Sequence, residues 1–85
     1  MDVRLTAAHD RDRYELRLGD ELVGIADYVD RGDRRLFTHT EVAPAHGGQG
    51  LGEQLVRFAL EDTRASGHEV VPLCSFVAAV EREGA

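Results

Sequence analysis

Scarce residue types already exclude several classes of protein. The 85 residues include only one cysteine, Cys74, so the chain cannot form a disulfide within itself. No stretch approaches the roughly 18 uninterrupted apolar residues that a membrane-spanning helix needs, and the N-terminus lacks the apolar run of a secretion signal. We therefore expect a cytoplasmic protein without a membrane segment. Lysine is also missing, and all 10 basic residues are arginines, so no side-chain amine can carry an acetyl group.

The chain also lacks an excess of positive charge. Aspartate and glutamate number 16 against 10 arginines, which gives a formal net charge of -6. Such a surface repels a phosphate backbone unless a basic stripe offsets the repulsion, and only short pairs such as Arg34-Arg35 occur. We therefore expect no nucleic-acid partner, whereas a negative field favours cationic ligands such as amines.

The hydrophobic pattern predicts one mixed α/β domain covering residues 1–85. Hydrophobic residues make up 42% of the chain and charged residues 31%, as in ordinary globular proteins, and this length supports a single core. Alternation and turn residues predict strands at 13–18, 21–29 and 36–42, and short strands that start at Val3 and at Val70-Val71. A helix of about four turns begins at Leu51 and ends near Gly67, and a short second helix is capped by Ser75. The helix between the last two strands predicts a right-handed parallel crossover, so the sheet is mixed and mainly antiparallel.

His39 lies in the predicted strand 36–42. Alternation places it on one face of the sheet with Phe37 and Glu41. A neutral imidazole there could act as a general base, whereas the alternative is a histidine held on the sheet face by Glu41 or a threonine. The other histidines fall in predicted turns without metal-ligand spacing, so no metal is expected, and Tyr14 and Tyr28 are expected in the core.

A glycine-rich segment separates this strand from the first helix. Its residues run from Val42 to Gly52 and include Gly47, Gly48 and Gly50. Amide groups at the start of a helix lack intrahelical acceptors, and glycines let a phosphate approach them closely. No Lys-Ser or Lys-Thr follows, so the segment is not a nucleotide-binding P-loop. It predicts a site for a nucleotide or coenzyme phosphate, and the alternative is merely a tight connection.

Three motifs in sequence resemble the small stand-alone branch of the GNAT acetyltransferase superfamily. They are Phe37-x-His39-Thr40-x-Val42, Gly48-Gln49-Gly50-Leu51-Gly52 and Pro72-x-Cys74-Ser75-Phe76-Val77. The resemblance implies a minimal GNAT-like fold in which acetyl-CoA lies between two splayed strands. It also implies cofactor-binding residues at Val42, Gly47, Gly48, Gln49, Gly50, Leu51 and Gly52. Gly47 stands where the family usually has Arg or Gln, which removes one side-chain contact with the pyrophosphate.

The same resemblance implies transfer of an acetyl group to an amine, with Cys74 and His39 as the catalytic candidates. Cys74 precedes a predicted helix, whose dipole favours the thiolate, although most free cysteines are simply small buried side chains. The amine could attack acetyl-CoA directly, with His39 as the base, or attack an acetyl group first accepted by Cys74. The alternative function is a non-catalytic acyl-CoA-binding or regulatory module.

Overall fold

A computed structural model describes residues 2–84 and contains one five-stranded sheet with two helices. The strands are β1 (Val3–Ala8), β2 (Arg13–Leu18), β3 (Glu21–Arg31), β4 (Arg34–Val42) and β5 (Glu69–Pro72). The helices are α1 (Leu51–Ala65) and α2 (Ser75–Glu83). This order confirms the predicted mixed α/β architecture, and the main difference is that β1 continues to Ala8.

The strands follow one another across the sheet in chain order. The three pairings from β1 to β4 are antiparallel, whereas β4 and β5 are parallel and are connected through α1. The β2–β3 turn requires Gly19, whose φ of 58° lies in the left-handed region that glycine adopts without a steric penalty. Short turns thus make the antiparallel pairs, and the long crossover makes the parallel pair.

Both helices contribute to a core on one face of the sheet. The buried positions of α1 recur at helical spacing: Leu51, Leu55, Val56, Ala59, Leu60 and Thr63. They pack against sheet residues that include the fully buried Tyr14, Leu16 and Phe37, and Val77 anchors α2 there. Burying each large apolar side chain contributes about 1.5–3 kcal/mol, so this face holds the domain together. Neither helix covers the opposite face of the sheet.

A β-bulge at Thr38 changes which residues of β4 share a face. Phe37 pairs with Tyr28 and His39 pairs with Asp27, so Thr38 has no partner of its own on β3. The extra residue interrupts the alternation. Phe37 therefore faces the helices, while His39 and Glu41 lie on the uncovered face. The prediction that these three residues share a face is wrong for this reason.

The parallel pairing of β4 with β5 is short. It joins residues 34–37 to residues 69–72, and the last hydrogen bond beyond it runs from the Cys74 amide to the Phe37 carbonyl over 3.0 Å. Within residues 2–84, no strand pairs with β4 on this side after Phe37. The second half of β4 therefore presents a free edge, next to the first turn of α2.

Candidate active site

The glycine-rich loop leads from β4 into α1. Gly48 has φ 77° and Gly50 has φ 75°, so both adopt a backbone conformation that residues with side chains rarely take. Gly50 is the N-cap residue of α1, and having no side chain it cannot cap the amides of the first helical turn. The first helical bond runs from the Gln54 amide to the Gly50 carbonyl over 3.1 Å.

The amides of this loop are available to a ligand. Across residues 2–84, no protein acceptor is bonded to the amides of Gly48, Gln49, Gly50, Leu51 and Gly52. A Cβ atom built on Gly48 or Gly50 would meet no other atom within 4 Å, so the space beside the backbone is open. The positive end of the α1 dipole adds to the attraction for an anion. These features fit a phosphate or pyrophosphate group.

Gly52 brings the start of α1 close to two other elements. A Cβ atom at Gly52 would lie 3.2 Å from the ring of Phe76 in α2 and 3.4 Å from a methyl group of Val42 in β4. A methyl group at this position would make an unusually tight contact, and the ring would have to shift by a few tenths of an ångström. The loop, the end of β4 and the first turn of α2 therefore meet at one place, and Phe76 remains 41% exposed there.

The free edge of β4 runs from this meeting point to the cysteine. The Ala43 amide bonds the Val23 carbonyl of β3 over 2.7 Å, and successive amides of a strand point to opposite sides, so the Thr40 amide points away from β3 and toward α2. Because alternate residues of a strand direct their amides to the same side, the Val42 amide also faces the free edge. The edge thus offers backbone groups that an amide-bearing ligand can pair with.

Cys74 is the N-cap residue of α2, and the predicted cap at Ser75 is wrong because the helix begins at Ser75 itself. The half-buried thiol lies 3.9 Å from the Thr40 hydroxyl. Burial is the largest single influence and raises the pKa of the thiol. The amides of Val77 and Phe76 and both polar groups of Thr40 together outweigh it, so the pKa is lowered overall.

His39 lies beside this edge but on the other face of the sheet. Its side chain is exposed, and within residues 2–84 it makes no hydrogen bond or ion pair. The alternative of a histidine fixed by Glu41 or a threonine is therefore not found. Thr40, the next residue, faces the helices and contacts Cys74. The structure thus groups Cys74, Val42 and the glycine loop, with His39 on the opposite face of the same strand.

Sequence reasoning missed a polar network at the far end of α1. Arg35, only 4% exposed, forms two hydrogen bonds with Asp30 at 2.8 and 2.9 Å and a third with the Tyr14 hydroxyl at 2.7 Å. Tyr14 in turn donates to Asp62 over 2.8 Å, and His9 contacts both Asp62 and Tyr28. Burial raises the pKa of Tyr14 to about 12. The sequence hints at this network only through strand alternation. Tyr14 and Arg35 each stand between two residues of their strand that lie on the uncovered face.

Two further properties bear on the chemistry of the domain. Within residues 2–84, no group of three or more His, Cys, Asp or Glu side chains is arranged to hold a metal ion. None of the helices in this part of the chain combines the length and apolar character needed to cross a membrane.

Tyr14 and Tyr28 are 0% and 3% exposed, which confirms their predicted place in the core.

Comparisons with known proteins agree with this geometry. The family described as GCN5-related N-acetyl-transferase matches residues 13–83. A solved structure of a GCN5-related N-acetyltransferase from Kribbella flavida is 34% identical with a TM-score of 0.59, over 71% of this chain and 18% of that chain. The present chain therefore spans less than a fifth of that protein's length. No curated protein matches the chain. By its family and its fold, the chain belongs to the GCN5-related N-acetyltransferases.

Proposed function

We propose that this domain transfers the acetyl group of acetyl-CoA to an amine. The observation that carries the proposal is the continuity between three features: the five loop amides, which bond no acceptor within residues 2–84, the free edge of β4 and the Cys74 thiol. In the reaction, the amine nitrogen attacks the acetyl carbonyl carbon, the C–N bond forms and the C–S bond breaks. The proton lost by the amine ends on the coenzyme A sulfur, which leaves as a thiol.

Acetyl-CoA fits this surface as a co-substrate. The amides from Gly48 to Gly52 would bind its pyrophosphate, assisted by the dipole of α1. Gly47 contributes no side chain, so the backbone amides must supply this recognition. The Val42 amide would pair with the pantetheine arm, which would lie along the free edge of β4. The thioester would then be next to Thr40 and Cys74.

Two routes are chemically consistent with this arrangement. In the first, the Cys74 thiolate attacks the thioester, releases coenzyme A and forms an acetyl-cysteine that the amine then attacks. The lowered pKa of Cys74 supports this route. In the second, the amine attacks acetyl-CoA directly after His39 removes its proton. The exposed imidazole of His39, which has no partner within residues 2–84, supports this second route.

Calorimetric titration with acetyl-CoA tests the binding half of the proposal. Gln49→Glu places a negative charge in the loop without changing a glycine, and Gln54→Glu places the same charge on the exposed side of α1 as a matched control. Two unit charges about 10 Å apart repel by about 1.7 kcal/mol at an effective dielectric constant of 20. We expect Gln49→Glu to weaken binding roughly tenfold or more. Equal effects of the two substitutions would count against binding at the loop.

Intact-mass measurement after incubation with acetyl-CoA separates the two routes. Hydroxylamine cleaves a thioester but not an amide, and the sequence contains a single cysteine, so a hydroxylamine-labile acetyl adduct would lie on Cys74. An adduct that forms and decays at the rate of turnover, and is absent in Cys74→Ser, supports the cysteine route. Turnover that Cys74→Ser leaves intact but His39→Gln abolishes supports direct attack. Binding of acetyl-CoA without turnover of any amine would instead support a non-catalytic acyl-CoA-binding module.

A further inference from the structure

A cavity of about 240 Å³ lies on the sheet face that the helices leave uncovered. Its apolar wall includes Leu22, Ile25 and Pro44, and it is bordered by two charged residues, Arg13 and Glu41. Glu41 pairs with Ile25 across the strands, and both project from the same face as His39. The cavity therefore lies on the opposite side of the sheet from α1, and Pro44, at the start of the glycine-rich segment, forms part of its wall.

The two charged residues differ in how far their charge is already neutralised. Glu41 is exposed, and within residues 2–84 it takes part in no ion pair. Arg13 bonds Glu15 at 2.8 Å, but Glu15, only 3% exposed, also pairs with Arg11 at 3.0 Å and Arg17 at 3.3 Å. One carboxylate thus serves three guanidinium groups. Asp27, the cross-strand partner of Arg13, adds a second carboxylate on this face, so the Arg13 side of the cavity holds three guanidinium groups against two carboxylates although the whole chain carries -6.

The strand register fixes the separation of these two ends. Ile25 pairs with Glu41 on one side and with Glu15 on the other, and Arg13 lies two residues from Glu15. Two inter-strand spacings and two residues along a strand place the α-carbons of Arg13 and Glu41 about 12 Å apart. Both side chains border one cavity with Ile25 in its wall. A ligand with opposite charges at the ends of an apolar chain matches this pattern.

We propose that this cavity binds the acetyl acceptor, and that the acceptor is an aliphatic primary amine with a carboxylate at its far end. The carboxylate pairs with Arg13, the methylene chain lies on Leu22 and Ile25, and the ammonium group pairs with Glu41. This assignment rests on the proposed acetyltransferase function and names its substrate class. Charge complementarity at both ends distinguishes it from a site for simple alkylamines.

Bound in this way, the amine lies on the His39 face of β4, whereas Cys74 lies on the helix face, so acetyl transfer takes place across the free edge of the strand. His39 and Glu41 project from the same face of β4 about 6.6 Å apart along the strand, and the free edge beside Thr40 opens toward Cys74. His39 takes the proton from the ammonium group that Glu41 holds. The free amine forms the C–N bond with the acetyl carbon and the C–S bond breaks. The second proton that the nitrogen loses passes to the leaving thiolate, and His39 releases the first proton to water.

An NMR titration without acetyl-CoA tests the cavity independently of the reaction. The probes are ε-aminocaproate, hexylamine and caproate, which carry both charges, only the positive charge and only the negative charge. We expect saturable shifts of the Leu22, Ile25 and Glu41 amides, with ε-aminocaproate bound about fivefold more tightly than either singly charged probe. Glu41→Gln should remove most of this advantage. The matched control Glu69→Gln, on the same face but remote from the cavity, should preserve it.

The outcomes separate this inference from the proposed function. No shifts at these amides, or equal affinity for all three probes, would overturn the inference even if acetyl-CoA binds. Leu22→Trp, which fills the cavity, should abolish the shifts while leaving acetyl-CoA affinity unchanged. Binding of ε-aminocaproate by a protein that does not bind acetyl-CoA would sink the acetyltransferase proposal and leave the ligand site. In the working enzyme, Glu41→Gln should raise KM for ε-aminocaproate about fivefold while Glu69→Gln leaves it unchanged.

Discussion

Replacing Arg35 with methionine removes the centre of the buried polar network while keeping a side chain of similar length. The Arg35 side chain is 5% exposed and makes two bonds to Asp30 and one to the Tyr14 hydroxyl. Breaking a fully buried ion pair from one side costs about 3–5 kcal/mol. The Asp30 side chain is 39% exposed, so water can solvate it after the change and the cost falls to about 2–3 kcal/mol.

Arg34→Met is the matched control, since Arg34 is the preceding residue and points to the uncovered face. Its side chain is 62% exposed and its distance to Glu69 is 3.6 Å, an ion pair expected to contribute less than about 1 kcal/mol. The assay is urea unfolding at neutral pH. Arg35→Met should lower the free energy of unfolding by at least about 1.5 kcal/mol more than Arg34→Met does. Equal losses would refute the assignment of the network as a stabilising element.

The same variant has a defined pH dependence. Hydrogen bonds from Arg35 are the largest cause of the lowered pKa of Asp30 in the folded protein. A carboxyl group with a lowered pKa stabilises the fold above its unfolded pKa, and this stabilisation is lost as pH falls through the folded pKa. Unfolding free energies measured from pH 6 down to pH 3 should therefore fall less steeply in Arg35→Met than in the original protein. An unchanged slope would show that Asp30 does not depend on Arg35.

Three further substitutions test the structure at single positions. Thr40→Val removes the hydroxyl that lowers the pKa of the Cys74 thiol, so alkylation by iodoacetamide near neutral pH should slow, while Thr40→Ser should not slow it. Gly52→Ala places a methyl group against Phe76 and should destabilise the fold by about 1 kcal/mol, a loss that Phe76→Ala should relieve in urea unfolding. Tyr14→Phe should abolish the tyrosine ionisation with a pKa of about 12 in an ultraviolet pH titration, and survival of that step would contradict the assignment.

Local patterns explain why most of the fold could be predicted from sequence. Alternation over residues 13–18 and the turn at Gly19 determine the β2–β3 hairpin with no information from distant residues. Helical spacing from Leu51 to Thr63 likewise defines α1 and its buried face. The bulge at Thr38 could not be predicted in this way, because it depends on how β4 pairs with β3. One unpaired residue was enough to move His39 and Glu41 to the other face.

In the candidate site, too, the features encoded by local sequence could be predicted and those that depend on distant residues could not. The glycine loop and Cys74 are recognisable because each lies within a short motif at the start of a helix. The contact of Cys74 with Thr40 joins residues 34 positions apart, and that of Tyr14 with Asp62 joins residues 48 apart. No local pattern encodes such pairs. The cavity beside Glu41 has the same origin, since three strands and the segment after β4 must meet to form it.

Recognition of the coenzyme by the loop amides is the central claim, and amide chemical shifts measured during titration with acetyl-CoA test it most directly. The account predicts large, saturable shifts at Gly48, Gly50 and Gly52. Acetyl-pantetheine, which lacks the pyrophosphate, should leave these amides nearly unchanged while still shifting Val42 and Cys74. The account would be contradicted if the three loop amides do not shift with acetyl-CoA, or if acetyl-pantetheine shifts them equally.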